Sequence, residues 1–121
     1  MKEIVAIIGA SNKPDRYAYK ALKNLLSKGH IPVPINPRLE DIDGLKCYPN
    51  LESYPDKIDT ITLYLRPAHL LPMVPQIIKI KPKRVIFNPG TEDAEIMEQL
   101  EEKGIEAQEA CTLVLLNTNQ F

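Results

Sequence analysis

Residues 3–16 read Glu3-Ile-Val-Ala-Ile-Ile-Gly-Ala-Ser-Asn-Lys-Pro-Asp-Arg16, and this stretch decides the fold. Ile4 to Ile8 form an apolar run that stops at Gly9, the pattern of a strand buried on both faces, as in a parallel sheet. A helix-compatible segment follows soon after. Strand, glycine-led polar loop and helix make the opening unit of a doubly wound α/β domain, whose first βα turn commonly holds a phosphate. Gly9 allows a tight turn and close approach of a ligand to the backbone. Ser11, Asn12 and Lys13 offer a hydroxyl, an amide and a cation. The loop is expected to cradle an anion.

Working outward, Asp15 is placed to cap a helix over 16–28, with Ala18, Ala21, Leu22, Leu25 and Leu26 on one stripe and Gly29 as its stop. Residues 31–35 suit a strand, provided that Pro32 and Pro34 turn their missing N–H groups away from a partner. The 39–55 region is a loop-rich crossover punctuated by Gly44, Pro49 and Pro55, with at most a short strand at 46–48 and one helical turn near 51–54. A strand over 60–65 follows, then a helix over 68–80 that Pro75 kinks or delays. A strand at 85–87, a helix capped by Thr91 and running to Lys103, a strand at 105–107 and a terminal helix at 110–116 complete the chain. The prediction is a five-stranded, mostly parallel, Rossmann-like sheet with helices on both faces. Ligands of such sheets sit beyond the carboxyl ends of the strands, here at loops 9–16, 36–39, 65–68 and 88–91.

A length of 121 residues predicts one domain over 1–121, and a formal charge of −1 gives no bulk attraction to nucleic acid. Cys47 and Cys111 lie far apart without metal-ligand spacing, as expected of reduced thiols. No signal-peptide pattern opens the chain and no apolar run approaches ~18 residues, so a cytoplasmic protein off the membrane is expected. Edge strands and apolar residues in the tail make a homodimer compatible with the sequence.

The dinucleotide fingerprint is incomplete. The first loop has only Gly9, and the second strand ends in Asn36-Pro37-Arg38 rather than in an acidic residue for a ribose diol. That argues against NAD and for a ribose bearing a phosphate, leaving NADP and coenzyme A. No G-K-[ST] step of an ATP-binding P-loop occurs.

Val5-Ala-Ile-Ile-Gly-Ala-Ser-Asn-Lys-Pro-Asp-Arg16, Pro34-Ile-Asn-Pro-Arg38, Gly44-Leu-Lys-Cys-Tyr-Pro49 and Leu65-Arg-Pro67, in this order, resemble the small single-domain CoA-binding proteins. That family is similar to the N-terminal CoA-binding domain of the succinyl-CoA synthetase α subunit and of NDP-forming acyl-CoA synthetases. The resemblance implies a Rossmann-like fold that holds CoA by its phosphates and adenine. It assigns phosphate contacts to Gly9, Ala10, Ser11, Asn12, Lys13 and Arg16. The adenosine and 3′-phosphate end goes to Asn36, Pro37 and Arg38, the middle of the ligand to Leu65, Arg66 and Pro67, and the outlet of a further strand to Asn88, Pro89 and Gly90. The Asn-Pro-Gly loop and a tail poor in charged residues depart from many relatives.

Catalytic machinery is not legible. The ligases' phosphorylatable histidine and nucleotide-grasp domain belong to segments outside this pattern. His30 reads as a solvated turn residue, and His69, beside Arg66-Pro67, lacks an evident orienting carboxylate. Cys47 is the sharper thiol, able to reach CoA if the crossover folds over the site. The acids from Glu92 to Glu102 read as an exposed helix face rather than a metal site. The expectation is a module that binds CoA or a short acyl-CoA without catalysis of its own, alone or beside a separate acyl-transfer enzyme. The alternatives are an NADP-binding redox protein or a CoA-linked redox or metabolite sensor.

Overall fold

The computed structural model describes residues 2–121. In chain order it contains β1 (Ile4–Ile8), α1 (Tyr17–Ser27), β2 (Ile31–Ile35), the short strands β3 (Asp41–Ile42) and β4 (Leu45–Lys46), a 3-10 turn at Leu51–Ser53 and β5 (Thr60–Leu63). Then come α2 (Pro67–Leu70), a 3-10 turn at Leu71–Met73, α3 (Val74–Ile80), β6 (Arg84–Phe87), α4 (Ala94–Glu102), β7 (Glu106–Glu109) and α5 (Thr112–Asn117). Five strands form one sheet in the order β2-β1-β5-β6-β7, every pairing parallel. The fold is Rossmann-like α/β.

The apolar run of β1 is buried on both sides because alternate residues feed two cores. Val5 and Ile7 pack with Ala18, Leu22 and Leu25 of α1 and Leu116 of α5. Ala6 and Ile8 pack with Leu70 of α2, Val74 and Ile77 of α3, and Ile96 and Leu100 of α4. Each fully buried Leu or Ile contributes about 1.5–3 kcal/mol.

The two prolines of β2 fit because β2 lies at the edge of the five-stranded sheet and their nitrogens point away from β1, although both residues are buried. Ile31 donates its N–H to Glu3 O at 2.9 Å, so alternate N–H groups point at β1, and those of residues 32 and 34 are not needed. The outer side is still used: Tyr48 N–H donates to Pro34 O at 2.9 Å and Asn36 N–H to Tyr48 O at 3.0 Å. The crossover carries more order than a loop. β3 and β4 form a hairpin that sets Ile42 and Cys47 against α1, and Asp43 in its turn accepts from the Tyr19 hydroxyl (2.5 Å) and Lys23 Nζ (2.9 Å).

Several expectations are corrected. Asp15 does not cap α1. Arg16 N–H donates to Lys13 O at 3.0 Å, closing a turn that moves the start of the helix on, and Arg16 takes the capping position with no side-chain bond to the helix. Thr91 does not cap α4. Its buried hydroxyl is tied to Asn88 O at 2.8 Å, and Asp93 accepts from Ile96 N–H at 3.0 Å instead. The helix expected over 68–80 is broken by the 3-10 turn that holds Pro72, after which Pro75 stands in the first turn of α3, where no N–H is required. His30 is not a solvated turn residue. Its Nδ1 accepts from Glu3 N–H at 3.0 Å and its ring centroid lies 5.1 Å from that of Phe121.

From β1 the chain moves outward to β2, then returns across β1 to β5. The strand order therefore reverses at β1 and β5, and the crevice above their carboxyl ends is where such sheets bind ligands.

Candidate cofactor-binding site

The crevice begins at Gly9. Its φ of 87° is left-handed, and a Cβ there would lie 2.5 Å from the Tyr64 carbonyl oxygen, so two chain segments leaving the sheet meet at a distance only glycine permits. Ala10 is buried just beyond. Asn36 Nδ2 donates to Ala10 O at 2.8 Å, while Asn36 Oδ1 accepts from Arg38 N–H at 2.7 Å. One amide thus clamps the Asn36-Pro37-Arg38 turn onto the first loop. Ser11 Oγ accepts from Lys13 N–H at 3.1 Å, which leaves the hydroxyl proton free to donate to a ligand.

Gly9, Ser11, Lys13 and Arg16 line a cleft of about 300 Å³, closed by Tyr17 and Ala18 at the start of α1 and by Tyr64 after β5. Two features give it an affinity for anions. The first N–H groups of α1 have no intrahelical partner, and no capping side chain takes them up. Lys13 and Arg16 form no ion pair among the described residues, so their charge is not neutralised internally.

Tyr17 and Tyr64 also wall a second cleft of about 230 Å³, completed by Asn88, Pro89, Cys111 and Leu113. Asn88 is buried, with 3% of its surface exposed. Its Nδ2 donates to Thr62 Oγ1 (2.7 Å) and Leu63 O (2.8 Å), and its Oδ1 accepts from Thr112 N–H (2.9 Å), tying β5, β6 and the start of α5 together. Burial pushes the Tyr64 hydroxyl up from its ordinary pKa, with Thr62 and Thr112 opposing, so it stays protonated.

The structure thus brings Gly9, Ser11, Lys13 and Arg16 around one cleft, holds Ala10 and Asn36 behind it, and places Asn88 and Pro89 in its neighbour. Asn12, Pro37 and Arg38 are exposed on the flanking turns. Leu65 packs against the core of the opposite sheet face, Arg66 and Pro67 open α2, and Gly90 donates its N–H to Glu92 Oε1 at 2.8 Å. None of these lines either cleft. Cys47 is corrected: it is 5% exposed in the core beneath the hairpin, and burial, with Asp41, pushes its thiol pKa up, the opposite of a reactive thiolate. The half-buried Cys111 is the thiol that reaches a cleft. Tyr17, Tyr64, Cys111 and Leu113 were not legible as site residues. The one signal was the position of the tyrosines beside the ends of the loop and of β5.

The sequence pattern of the CoA binding domain family matches residues 3–117. The chain belongs to the CoA binding domain family. It is similar to the ADP-forming acetate–CoA ligase II subunit alpha of Pyrococcus furiosus, 38% identical over 56 residues, a match covering 46% of this chain and 12% of the ligase subunit. Among solved structures, one of an uncharacterized protein superposes with a TM-score of 0.93 at 40% identity, covering 100% of this chain and 99% of the other. The apo form of a dinucleotide forming acetyl-coenzyme A synthetase 1 from Ca. Korarchaeum cryptofilum superposes with a TM-score of 0.74 at 26% identity, covering 87% of this chain. The match takes in 25% of that synthetase, so this family member corresponds to a minor part of the enzymes it resembles.

Proposed function

We propose that this member of the CoA binding domain family is a cytoplasmic module that holds coenzyme A or a short acyl-CoA and presents it without chemistry of its own. The carrying observation is the cleft at the strand-order reversal, where a helix start without a cap, the Ser11 hydroxyl and the unpaired Lys13 and Arg16 converge. A pyrophosphate there gains charge-assisted hydrogen bonds from side chains and backbone N–H groups together. Asn36 clamps the exposed turn that carries Arg38 onto the first loop, which supports Arg38 as the cation for a 3′-phosphate on the adenosine ribose.

Replacing the cleft cations tests the reading. Lys13→Ala and Arg16→Ala are each expected to weaken CoA binding by about 1.5–3 kcal/mol, the scale of a hydrogen bond to a charged group, as read by calorimetric titration. Unchanged affinity in both variants removes the phosphate from this loop.

A further inference from the structure

We infer that Phe121, packed against both the His30 ring and the Arg84 guanidinium, is an acid-sensitive latch. With His30 neutral it pins the segment after α5 to the sheet, and protonation of His30 frees that segment at the end of the sheet opposite the cofactor clefts.

The Phe121 ring centroid lies 5.1 Å from that of His30, just ahead of β2, and 4.4 Å from the guanidinium carbon of Arg84 on β6. Arg84 is fixed by its own bonds, Nε donating to Thr60 Oγ1 at 3.2 Å and Nη1 to Gln108 Oε1 at 3.1 Å. Its Nη2 is buried with no hydrogen-bond partner among the described residues and meets Glu3 Oε2 only at 3.7 Å. His30 Nδ1 accepts from Glu3 N–H at 3.0 Å, which puts the proton of the neutral ring on Nε2. The phenyl ring thus has one cation and one neutral imidazole against it.

Protonation changes each of these contacts. Nδ1 gains a proton that faces the Glu3 N–H, so that bond is lost, and a second cation comes to the ring that already holds Arg84. Glu3 is the acid facing His30, and Arg84, Lys28 at the end of α1 and the amino terminus are the cations around it. The Glu3 carboxylate is already shared between the Thr60 hydroxyl at 2.6 Å and Arg84. An imidazolium that turns to it competes with Arg84 and gives up its place against Phe121. Burial lowers the His30 pKa from 6.5, Glu3 opposes, and the amino terminus and Arg84 add to the lowering, so the latch is closed at neutral pH.

Phe121 is what the segment after α5 has to lose. The backbone bonds there are local to α5, Thr118 N–H to Val114 O at 3.0 Å, Asn119 N–H to Leu116 O at 3.3 Å and Gln120 N–H to Leu115 O at 2.8 Å. Beyond them, Lys28 Nζ reaches Asn119 Oδ1 at a long 3.5 Å. Phe121 also walls a cavity of about 400 Å³ with Glu3, Lys28, His30, Leu116 and Asn119, and that cavity widens as the ring leaves.

Amide hydrogen exchange of the full chain at about pH 7.5 and about pH 5.5, expressed as protection relative to intrinsic rates, tests the latch. In the parent, protection of the Thr118, Asn119 and Gln120 amides is expected to fall about tenfold at the lower pH, the scale of one lost hydrogen bond, while the β1 amides stay protected. His30→Gln keeps an acceptor for Glu3 N–H without a titrating proton and is expected to abolish the fall. Phe121→Ala is expected to show the low protection at both pH values. Should neither variant fold, the ring signals of the parent decide by magnetic resonance: those of Phe121 are expected to shift with the midpoint of His30, below pH 6.5. Protection of residues 118–120 within about twofold at the two pH values, an equal fall in His30→Gln, a fall shared by β1, or Phe121 signals that do not follow His30 overturns the inference.

Discussion

Gly9 shows how one residue sets the geometry of the crevice. Its left-handed backbone and its contact with the Tyr64 carbonyl fix the separation between the first loop and the end of β5, the two sides of the proposed phosphate site. Gly9→Ala adds a methyl group where the nearest atoms are backbone and forces an L-residue to hold a φ of 87°. The left-handed penalty is about 1–2 kcal/mol and overpacking adds about 1–3 kcal/mol, so a loss of about 2–5 kcal/mol is expected from the denaturant midpoint. A variant as stable as the parent contradicts the close approach. Ser11 and Lys13 were legible as ligand groups from residue type and position after a buried strand. Asn36 was legible only in part, because its two bonds to Ala10 and Arg38 join segments remote in sequence.

At the scale of elements, the two ends of the sheet do different work. The carboxyl ends of the strands open into the clefts, while at the opposite end His30 ties the start of β2 to Glu3 and packs on Phe121. Burial pushes the His30 imidazole down from its ordinary value of 6.5, Glu3 pulls it up and Arg84 adds to the lowering. Folded protein thus binds fewer protons at this site than unfolded chain. The stability that neutral His30 contributes is complete above about pH 6.5 and is lost as pH falls through the depressed folded value. Denaturant midpoints measured at about pH 7.5 and 5.5 are expected to fall less in His30→Gln than in the parent, and equal falls contradict this role. Strands β1, β5 and β6 were legible because buried apolar runs with β-branched residues are local signals. The caps were not. Thr91 and Asp93 are both competent caps by residue type, and the choice fell to Asp93 because Asn88, buried by long-range packing, holds the Thr91 hydroxyl. Of the β3–β4 hairpin only a short strand at 46–48 was expected, overlapping β4 at Lys46; β3 and the pairing were not legible because each strand spans only two residues, too few for a period to show, and the order comes from contacts with α1.

Across the whole molecule, a chain with a formal charge of −1 concentrates unpaired cations where an uncapped helix meets the strand-order reversal. That local arrangement, rather than net charge, is what suits a polyphosphate ligand. Of the second cleft only Asn88 and Pro89 were legible beforehand, because its other walls come from α1, the end of β5 and the start of α5, segments that only the closed sheet brings together. Membership of the CoA binding domain family and the geometry of the loops lead to one central claim, that the ligand is CoA gripped by its phosphates. Calorimetric titration of the ligand-free protein with CoA, 3′-dephospho-CoA and NADP in parallel tests it most directly. The account requires micromolar binding of CoA that weakens roughly tenfold or more without the 3′-phosphate, as loss of a charge-assisted contact implies. A preference for NADP, or no binding by any of the three, would contradict it.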